Sequence, residues 1–177
     1  MAAGASHAGW HVRQERSTYE GRTLLLVAVD RDEIVGLLDI ELEDEPGSLC
    51  LRRQPGQGFA WEFSVLPGLW GQGIGTGMVR EAERRLGRQG VNYLEWWSMD
   101  PRSQDWYERY GMECINRHWR FAVEPDERFT RAARGSRVVY AHLTCPEEDW
   151  EKARRLFRVI TQPPLEPHLC KGYAHHF

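Results

Sequence analysis

The segment from Val65 to Val79 constrains the fold of this chain more than any other. Glycines stand at positions 71, 73, 75 and 77, between an alternating strand pattern and an amphipathic helix pattern. Because glycine has no side chain, the backbone N–H groups of such a turn can approach a ligand closely, and they converge on the positive end of the helix dipole. The segment therefore predicts a site for an anion, most naturally a phosphate or pyrophosphate.

Two common phosphate-binding motifs do not fit this turn, and a flexible glycine-rich linker is the remaining alternative. A Gly-x-Gly-x-x-Gly dinucleotide motif fails because its last glycine position falls on Thr76 or Met78. A P-loop fails because no Gly-Lys-Ser or Gly-Lys-Thr follows. Alternating glycines that lead directly into a strong helix favour a binding turn over a linker.

Composition narrows the class of protein. A length of 177 residues predicts one domain, and an apolar content of 41% is enough for a full core. The net charge of −3, with basic and acidic residues interleaved, argues against nucleic acid as a partner. The longest apolar run, Leu24 to Val29, is too short for a membrane span, and the first residues do not resemble a signal peptide. We therefore expect no membrane partner. The cysteines are scattered, which favours reduced thiols and a cytoplasmic location.

Local patterns predict a series of strands. Two aliphatic runs separated by Asp30-Arg31-Asp32 indicate an antiparallel hairpin. The predicted strands are 23–29, 33–42, 59–65, 91–97, 112–123 and 138–143. In the strand 59–65, alternation predicts one face with Phe59, Trp61, Phe63 and Val65, and the other with Glu62 and Ser64.

Helical spacing and end signals predict the helices. The first covers about 75–88, and the next begins at Asp100-Pro101 and stops at Gly111. The pair Thr144-x-x-Glu147 has the spacing of a capping box ahead of a last amphipathic helix. The tail from Gln162 onward contains three prolines and is predicted to be irregular.

The glycine segment resembles the acyl-CoA-binding signature of the GNAT (Gcn5-related) N-acetyltransferases. In that family a strand ending in Val-x-Pro is followed by an Arg or Gln, then by Gly-x-Gly and a helix. Here Val65, Pro67, Gly73 and Gly75 match the signature, and Trp70 stands at the Arg/Gln position.

A second segment resembles the family's helix that ends in Tyr-x-x-x-Gly-Phe. Tyr107, Gly111 and Met112 take those three places, and Asp100 replaces the Asn that the family usually has seven residues before the tyrosine. The two segments at this separation make a specific match, and the resemblance covers about residues 20–122.

The resemblance implies a fold of the mixed α/β class: a GNAT-like acyl-CoA N-acyltransferase fold with a mostly antiparallel central sheet. The sheet would splay between the strands at about 58–66 and 91–98. Residues 1–122 would form the acetyltransferase core, and residues 123–177 a C-terminal strand-helix extension packed on the same domain. The family's two helices that cover the acceptor are short or missing here, so the extension or a second subunit would replace them.

The resemblance also implies acetyl-CoA as the cosubstrate, and no metal is expected. The pyrophosphate would lie on residues 71–76, the pantetheine arm would lie in the splay, and a backbone N–H near residues 65–66 would hold the oxyanion. The residues expected to bind the cosubstrate are Val65, Leu66, Gly71, Gln72, Gly73, Ile74, Gly75, Thr76, Asp100 and Tyr107.

Acetyl transfer to an amine needs a base for the amine proton and an acid for the leaving thiolate. Tyr107 is the expected acid, because a phenol and a thiol have similar pKa values, and Tyr110 is the alternative. Glu62 is the expected base, with Glu95 and His118 as competitors.

These observations predict an N-acetyltransferase that acts on a small-molecule primary amine, or on a protein N-terminus, by direct attack in a ternary complex. The alternative is a non-catalytic acyl-CoA-binding regulatory module, because Trp70 and Asp100 replace family residues. A homodimer is compatible with either function. Trp61, Trp96, Trp97 and Trp106 suggest an aromatic pocket for the amine, whereas the histidines and cysteine of residues 168–176 fit no known metal spacing.

Overall fold

The computed structural model describes residues 21–127 and 140–177. Within these residues it contains seven strands, three fully bounded helices and two short 3₁₀ turns. The strands are β1 (Thr23–Asp30), β2 (Glu33–Leu42), β3 (Gln57–Val65), β4 (Tyr93–Ser98), β5 (Glu113–Val123), β6 (Ala141–Pro146) and β7 (His168–His176). The helices are α1 (Ile74–Gly87), α2 (Pro101–Tyr110) and α3 (Trp150–Leu156), and the 3₁₀ turns are Pro67–Leu69 and Glu147–Asp149.

The described residues form two compact units. The first comprises residues 21–97, 111–113 and 173–177, and contains β1, β2, β3, α1, nearly all of β4 and the end of β7. The second comprises residues 98–110, 114–127 and 140–172, and contains α2, nearly all of β5, β6, α3 and the start of β7.

In the first unit, β1 to β4 are neighbours in chain order. Strands β1 and β2 form the predicted hairpin, and its turn residues Arg31 and Asp32 have φ angles of 46° and 70°. Positive φ at both central residues is the requirement of a tight type I′ hairpin turn. Strand β2 pairs antiparallel with β3, and β3 pairs parallel with β4. This mixed, mostly antiparallel arrangement confirms the predicted fold class.

Helix α1 packs on the face of β2 that carries Gly36, Leu38 and Ile40. A Cβ atom on Gly36 would lie 2.8 Å from the Met78 sulfur, so glycine at this position lets the helix lie close to the sheet. Leu38 and Ile40 are completely buried beneath the helix. The buried side chains of the helix are the predicted ones, Met78, Val79, Ala82 and Leu86.

Strands β3 and β4 separate part of the way along β3. Their pairing runs from Gln57 opposite Tyr93 to Ala60 opposite Trp96 and ends there, although β3 continues to Val65. The five residues from 61 to 65 therefore form the open side of a splay. This is the splay that the resemblance implied between residues 58–66 and 91–98.

A β-bulge interrupts β3 at the start of the splay. Glu62 lies opposite Asp39 and Ala60 lies opposite Ile40, so Trp61 is the extra residue on β3. A bulge of this kind bends the strand and breaks its two-residue alternation.

The bulge corrects the predicted faces of β3. Phe59 lies opposite Glu41, on the same face as Glu62, whereas Phe63 lies opposite Leu38 on the face that α1 covers. The prediction that Phe59, Trp61, Phe63 and Val65 share one face was therefore wrong, because the alternation does not continue through the extra residue.

In the second unit, β5 pairs antiparallel with β6, and α3 packs on them through a hydrophobic cluster. The rings of Trp119 and Trp150 stack with centroids 4.6 Å apart, and Phe121 meets the Trp150 ring edge-on at 5.2 Å. Phe121, Val123 and Ala153 are the buried members of the cluster.

Two predictions near the C-terminus were wrong. The tail was predicted to be irregular, but His168–His176 is a strand, and the Phe177 N–H donates to the Asn92 carbonyl at 3.2 Å. The predicted capping box does not form, because Thr144 lies within β6 and no side chain caps the 3₁₀ turn after Pro146. The Glu147 carboxylate instead pairs with Arg117.

The predicted strand 138–143 is displaced toward the C-terminus, since β6 is Ala141–Pro146, and residues 138–139 lie outside the described residues. The other predicted elements lie close to their predicted bounds. The division of the chain at residue 122 stays a prediction. Across residues 21–127 and 140–177, no helix is long and apolar enough to cross a membrane.

Candidate active site

The glycine turn lies open at the start of α1. Gly71 and Gly73 have φ angles of 78° and 83°, and a Cβ atom on either would meet nothing within 4 Å. Gly73 is the N-cap, and among the described residues no side chain caps the helix. The Gly77 N–H makes the first helical bond, to the Gly73 carbonyl at 2.9 Å, so the N–H groups of residues 74–76 precede the first helical donor. Of the predicted cosubstrate residues here, Gly71, Gln72 and Gly73 are exposed, and Ile74, Gly75 and Thr76 are half-buried.

Trp70 connects this turn to the end of β3. Its indole N–H donates to the Val65 carbonyl at 2.7 Å, and the ring is about half exposed. A side chain at the Arg/Gln position of the family signature therefore has a structural task in this chain. The sequence alone does not reveal this contact, because it depends on the fold of the intervening 3₁₀ turn.

Of the two main-chain N–H groups predicted to hold the oxyanion, at Val65 and Leu66, only that of Val65 is available at the end of β3. The Leu66 N–H donates to the Val35 carbonyl at 2.9 Å, so this donor is engaged in the sheet, and its predicted role is corrected. Alternate residues of a strand direct their main-chain groups to opposite edges. The Val65 N–H therefore points to the edge that faces the splay, where pairing with β4 has ended.

Glu62 lies among other carboxylates on the face of the sheet opposite α1. It is half-buried and pairs in register with Asp39, and both Asp39 and Glu41 on β2 are more than nine-tenths buried. The Trp61 indole N–H donates to a Glu41 carboxylate oxygen at 2.7 Å. Sequence reasoning missed Asp39 and Glu41, although acidic residues inside the apolar run of β2 were an available signal. The structure thus places Glu62 beside two buried acidic residues.

Glu95, a competitor for the role of base, is a structural carboxylate. It is completely buried, accepts the Leu51 N–H at 3.0 Å and the Arg52 N–H at 3.3 Å, and accepts the Tyr93 hydroxyl at 2.8 Å. Burial and the hydrogen bond to Glu95 raise the pKa of Tyr93. Glu95 therefore holds the loop before β3 in place, which removes it from the candidate bases.

We expect Glu95→Ala to lower the free energy of unfolding by about 3 kcal/mol, because it leaves buried donors without an acceptor. Urea unfolding followed by tryptophan fluorescence measures this loss. Glu45→Ala, at an exposed position of the same loop, is the matched control and should have almost no effect. A variant of unchanged stability with a lost turnover rate would return Glu95 to the list of bases.

His118, the second competitor, lies on β5 in the second unit. Its Nδ1 lies 3.2 Å from the Asn116 side-chain oxygen. Burial and the charge of Arg120 lower the pKa of His118, so its imidazole is neutral at pH 7. A neutral imidazole can accept a proton, and this is the one property that favours His118 as the base.

Tyr107 and Asp100 both belong to the second unit. Tyr107 is buried on α2, and its ring meets Trp106 edge-on at 5.5 Å. Tyr110 stacks on the same tryptophan at 5.0 Å. Asp100 caps the helix as predicted, since its carboxylate accepts the Ser103 N–H at 2.9 Å and hydroxyl at 2.7 Å.

Of the four tryptophans of the predicted aromatic pocket, the structure removes Trp96. Trp96 is completely buried and contacts His175, with ring centroids 6.2 Å apart, so it cannot receive a substrate amine. Burial raises the pKa of Cys170 to about 11. Within the described residues, no group of three side chains is arranged to hold a metal ion.

Comparison with known proteins agrees with this geometry. A family model described as "Acetyltransferase (GNAT) family" matches residues 4–112. Comparison with curated protein sequences gives no match.

Solved structures share the fold at low sequence identity. The IAA acetyltransferase from Bacillus cereus ATCC 14579 is 15% identical, with 93% of this chain and 85% of that chain covered and a TM-score of 0.51. A GNAT family acetyltransferase from Elizabethkingia anophelis, with acetyl-CoA bound, is 12% identical, with 91% and 80% covered and a TM-score of 0.51. The ribosomal-protein-S18-alanine N-acetyltransferase from Escherichia coli is 12% identical, with 99% and 79% covered and a TM-score of 0.51.

The splayed sheet and the glycine turn at the start of a helix thus define an acetyltransferase fold. This chain belongs to the GNAT acetyltransferase family.

Proposed function

We propose that this protein transfers an acetyl group from acetyl-CoA to the primary amine of a small molecule, by direct attack within a ternary complex. The observation that carries the proposal is the open turn at residues 71–76, where uncapped helical N–H groups lie one short segment beyond the splayed end of β3. Such an array binds pyrophosphate through the main chain.

The residues present fit the coenzyme. The space above the turn is clear of the protein's own atoms where a Cβ would stand on Gly71 or Gly73. Beyond Ala60, β3 no longer pairs with β4, and the Val65 N–H points toward the splay, where it could donate to an amide-containing arm such as pantetheine. We propose that Val65, Gly71, Gln72, Gly73, Ile74, Gly75 and Thr76 contact the coenzyme, together with Leu66 through its exposed side chain and with Asp100 and Tyr107 on α2.

The proposed chemistry uses three groups of this chain. Glu62 takes a proton from the substrate ammonium, so that the neutral amine can attack the thioester carbonyl. The Val65 N–H stabilises the oxyanion while the C–N bond forms. Tyr107 gives its proton to the thiolate as the C–S bond breaks, and the second proton of the attacking nitrogen returns to the Tyr107 phenolate. The products are an amide and CoA thiol, with the first ammonium proton held by Glu62.

The acceptor is proposed to be a cationic small molecule. Asp39 and Glu41, both buried beside Glu62, favour an ammonium group over a neutral or anionic acceptor. A protein N-terminus has the same charge and is the second acceptor to test. Residues 1–122 are proposed as the catalytic core, 123–177 as its extension, and the cytoplasm as the location, where the four free thiols would stay reduced.

The deciding experiment measures CoA thiol release with a panel of primary amines and peptide N-termini, alongside calorimetric titration of CoA. Release that depends on an amine supports the enzyme. CoA binding without release for any acceptor supports the non-catalytic module instead, and no binding at all contradicts both.

We expect Glu62→Gln to lower kcat/KM by about 10²-fold, because the substrate ammonium loses its proton acceptor. The acid limb of the pH–rate profile should disappear with it. His118→Gln is the matched variant and should keep both the rate and the limb. If the limb disappears in the His118 variant and survives in the Glu62 variant, the assignment of the base is reversed.

A further inference from the structure

Strand β1 exposes an apolar surface along the edge of the first unit's sheet. We call Leu25, Val27, Val29 and Ile34 the β1 patch; their exposed fractions are 39%, 47%, 59% and 64%. Leu25 lies opposite Asp39, Val27 opposite Leu37, and Val29 opposite Ile34 beyond a bulge in β2, so all four side chains point to the same side. Scattered apolar residues are ordinary on a surface, whereas a contiguous set indicates a contact.

The main chain along this edge is arranged to pair. The Leu42 N–H donates to the Arg22 carbonyl, so even-numbered residues of β1 direct their main-chain groups toward β2. Leu25, Val27 and Val29 therefore direct theirs toward the outer edge. Among the strands of residues 21–127 and 140–177, β2 is the only neighbour of β1.

Although β2 has a bulge beside the end of β1, the sequence of β1 itself lacks the residues that usually protect an exposed strand. Thr23–Val29 contains no charge, no proline and no glycine. Natural edge strands avoid uncontrolled pairing through charges, prolines or bulges, or else are covered by a partner. The sequence of β1 indicates the second solution.

We propose that the β1 edge pairs with the β1 edge of a second copy of this chain, antiparallel and about a two-fold axis at Leu26. In this register Leu25 lies opposite Val27 of the second copy, and Val27 lies opposite Leu25 of the second copy. The same register brings the outward main-chain groups of both strands face to face and makes the β1 patch continuous across the two copies.

The charges at the ends of β1 favour this partner and this register. Arg22 precedes the strand and Asp30 ends it, and both are exposed. When the strand meets itself antiparallel about Leu26, Arg22 lies opposite Asp30 of the second copy at both ends. Arg22 contacts Asp44 at 3.3 Å within its own chain, and a guanidinium has enough donors to bind a second carboxylate. Only a second copy of this chain necessarily presents Asp30 opposite Arg22 and Arg22 opposite Asp30 at the two ends of the strand.

Sedimentation equilibrium of the full chain tests the proposal. We expect a dimer at micromolar concentration. Val27→Glu should raise the Kd of the dimer at least about 10²-fold, since two charges are then placed at the centre of the interface. Leu156→Glu, at a residue that is as exposed as Val29 but lies on α3, should leave the dimer unchanged. A monomer at every concentration, or a dimer that Val27→Glu leaves intact, overturns the proposal.

A charge exchange keeps the test independent of any folding defect at Val27. Arg22→Asp and Asp30→Arg should each weaken the dimer about tenfold, and the double variant should restore it. Asp44→Ala should leave the dimer unchanged, because it removes only the contact within one chain. Hydrogen exchange at Leu25, Val27 and Val29 should slow as the protein concentration rises. Failure of the double variant to restore the dimer, or exchange that ignores concentration, overturns the register.

Discussion

Replacement of Gly73 by valine is expected to abolish measurable CoA binding in a protein that still folds. The residue has a φ of 83°, where a β-branched side chain is strained by about 1–2 kcal/mol, and its Cβ would meet no protein atom within 4 Å. The protein itself therefore tolerates the change. The new side chain instead occupies the space through which an anion reaches the helical N–H groups, and the Kd should rise by at least about 10³-fold, or roughly 4 kcal/mol.

Gly90→Val is the matched control for this prediction. Gly90 has a φ of 79°, and a Cβ there also meets nothing within 4 Å, but the residue follows the far end of α1. It should lose similar stability and keep its affinity for CoA. Calorimetric titration and thermal unfolding of both variants separate backbone strain from loss of the site. A Gly73→Val protein that binds CoA normally would contradict the proposed anion site and, with it, the proposed function.

Tyr107→Phe is expected to lower kcat by about 10²-fold and to leave KM unchanged, because the proton is needed only in the transition state. The tyrosine is buried on α2, so removal of one oxygen atom should preserve its packing against Trp106. Steady-state kinetics as a function of pH provide the test, since the basic limb of the profile should change along with kcat.

Tyr110→Phe controls for the general effect of losing a phenol from this helix. Tyr110 lies three residues further along and stacks on the same Trp106. Its variant should turn over at the normal rate. If Tyr110→Phe is slow and Tyr107→Phe is not, the acid is Tyr110, and if neither is slow, the thiolate takes its proton from water.

The features that the sequence predicted correctly have local causes. The hairpin turn at Arg31-Asp32, the cap that Asp100 provides and the glycine turn before α1 each depend on residues within a few positions of one another. Helix α1 follows from the spacing of its apolar residues. The resemblance to the GNAT family added the splay between β3 and β4, which no local pattern contains.

The features that the sequence did not predict depend on distant partners. The bulge at Trp61 becomes visible only when β3 is aligned with β2, and this alignment brings Glu62 beside Asp39. Strand β7 follows three prolines and has a weak pattern of its own, so its formation depends on neighbours far away in the chain. Thr144 has the spacing of a capping box with Glu147, but it lies opposite Arg120 of β5 and is therefore part of strand β6.

Gly36 connects the interior of the sheet to the helix that begins at the proposed coenzyme site. It lies opposite Val65 on the neighbouring strand and leaves room for the sulfur of Met78, a residue of the helix that begins at the proposed anion site. A methyl group at position 36 would displace the Met78 side chain from the place where it now contacts the sheet. If the proposed turn binds the coenzyme, we therefore expect a small change in volume at position 36 to alter the packing of its helix and, through it, the affinity, while the turn itself keeps its sequence.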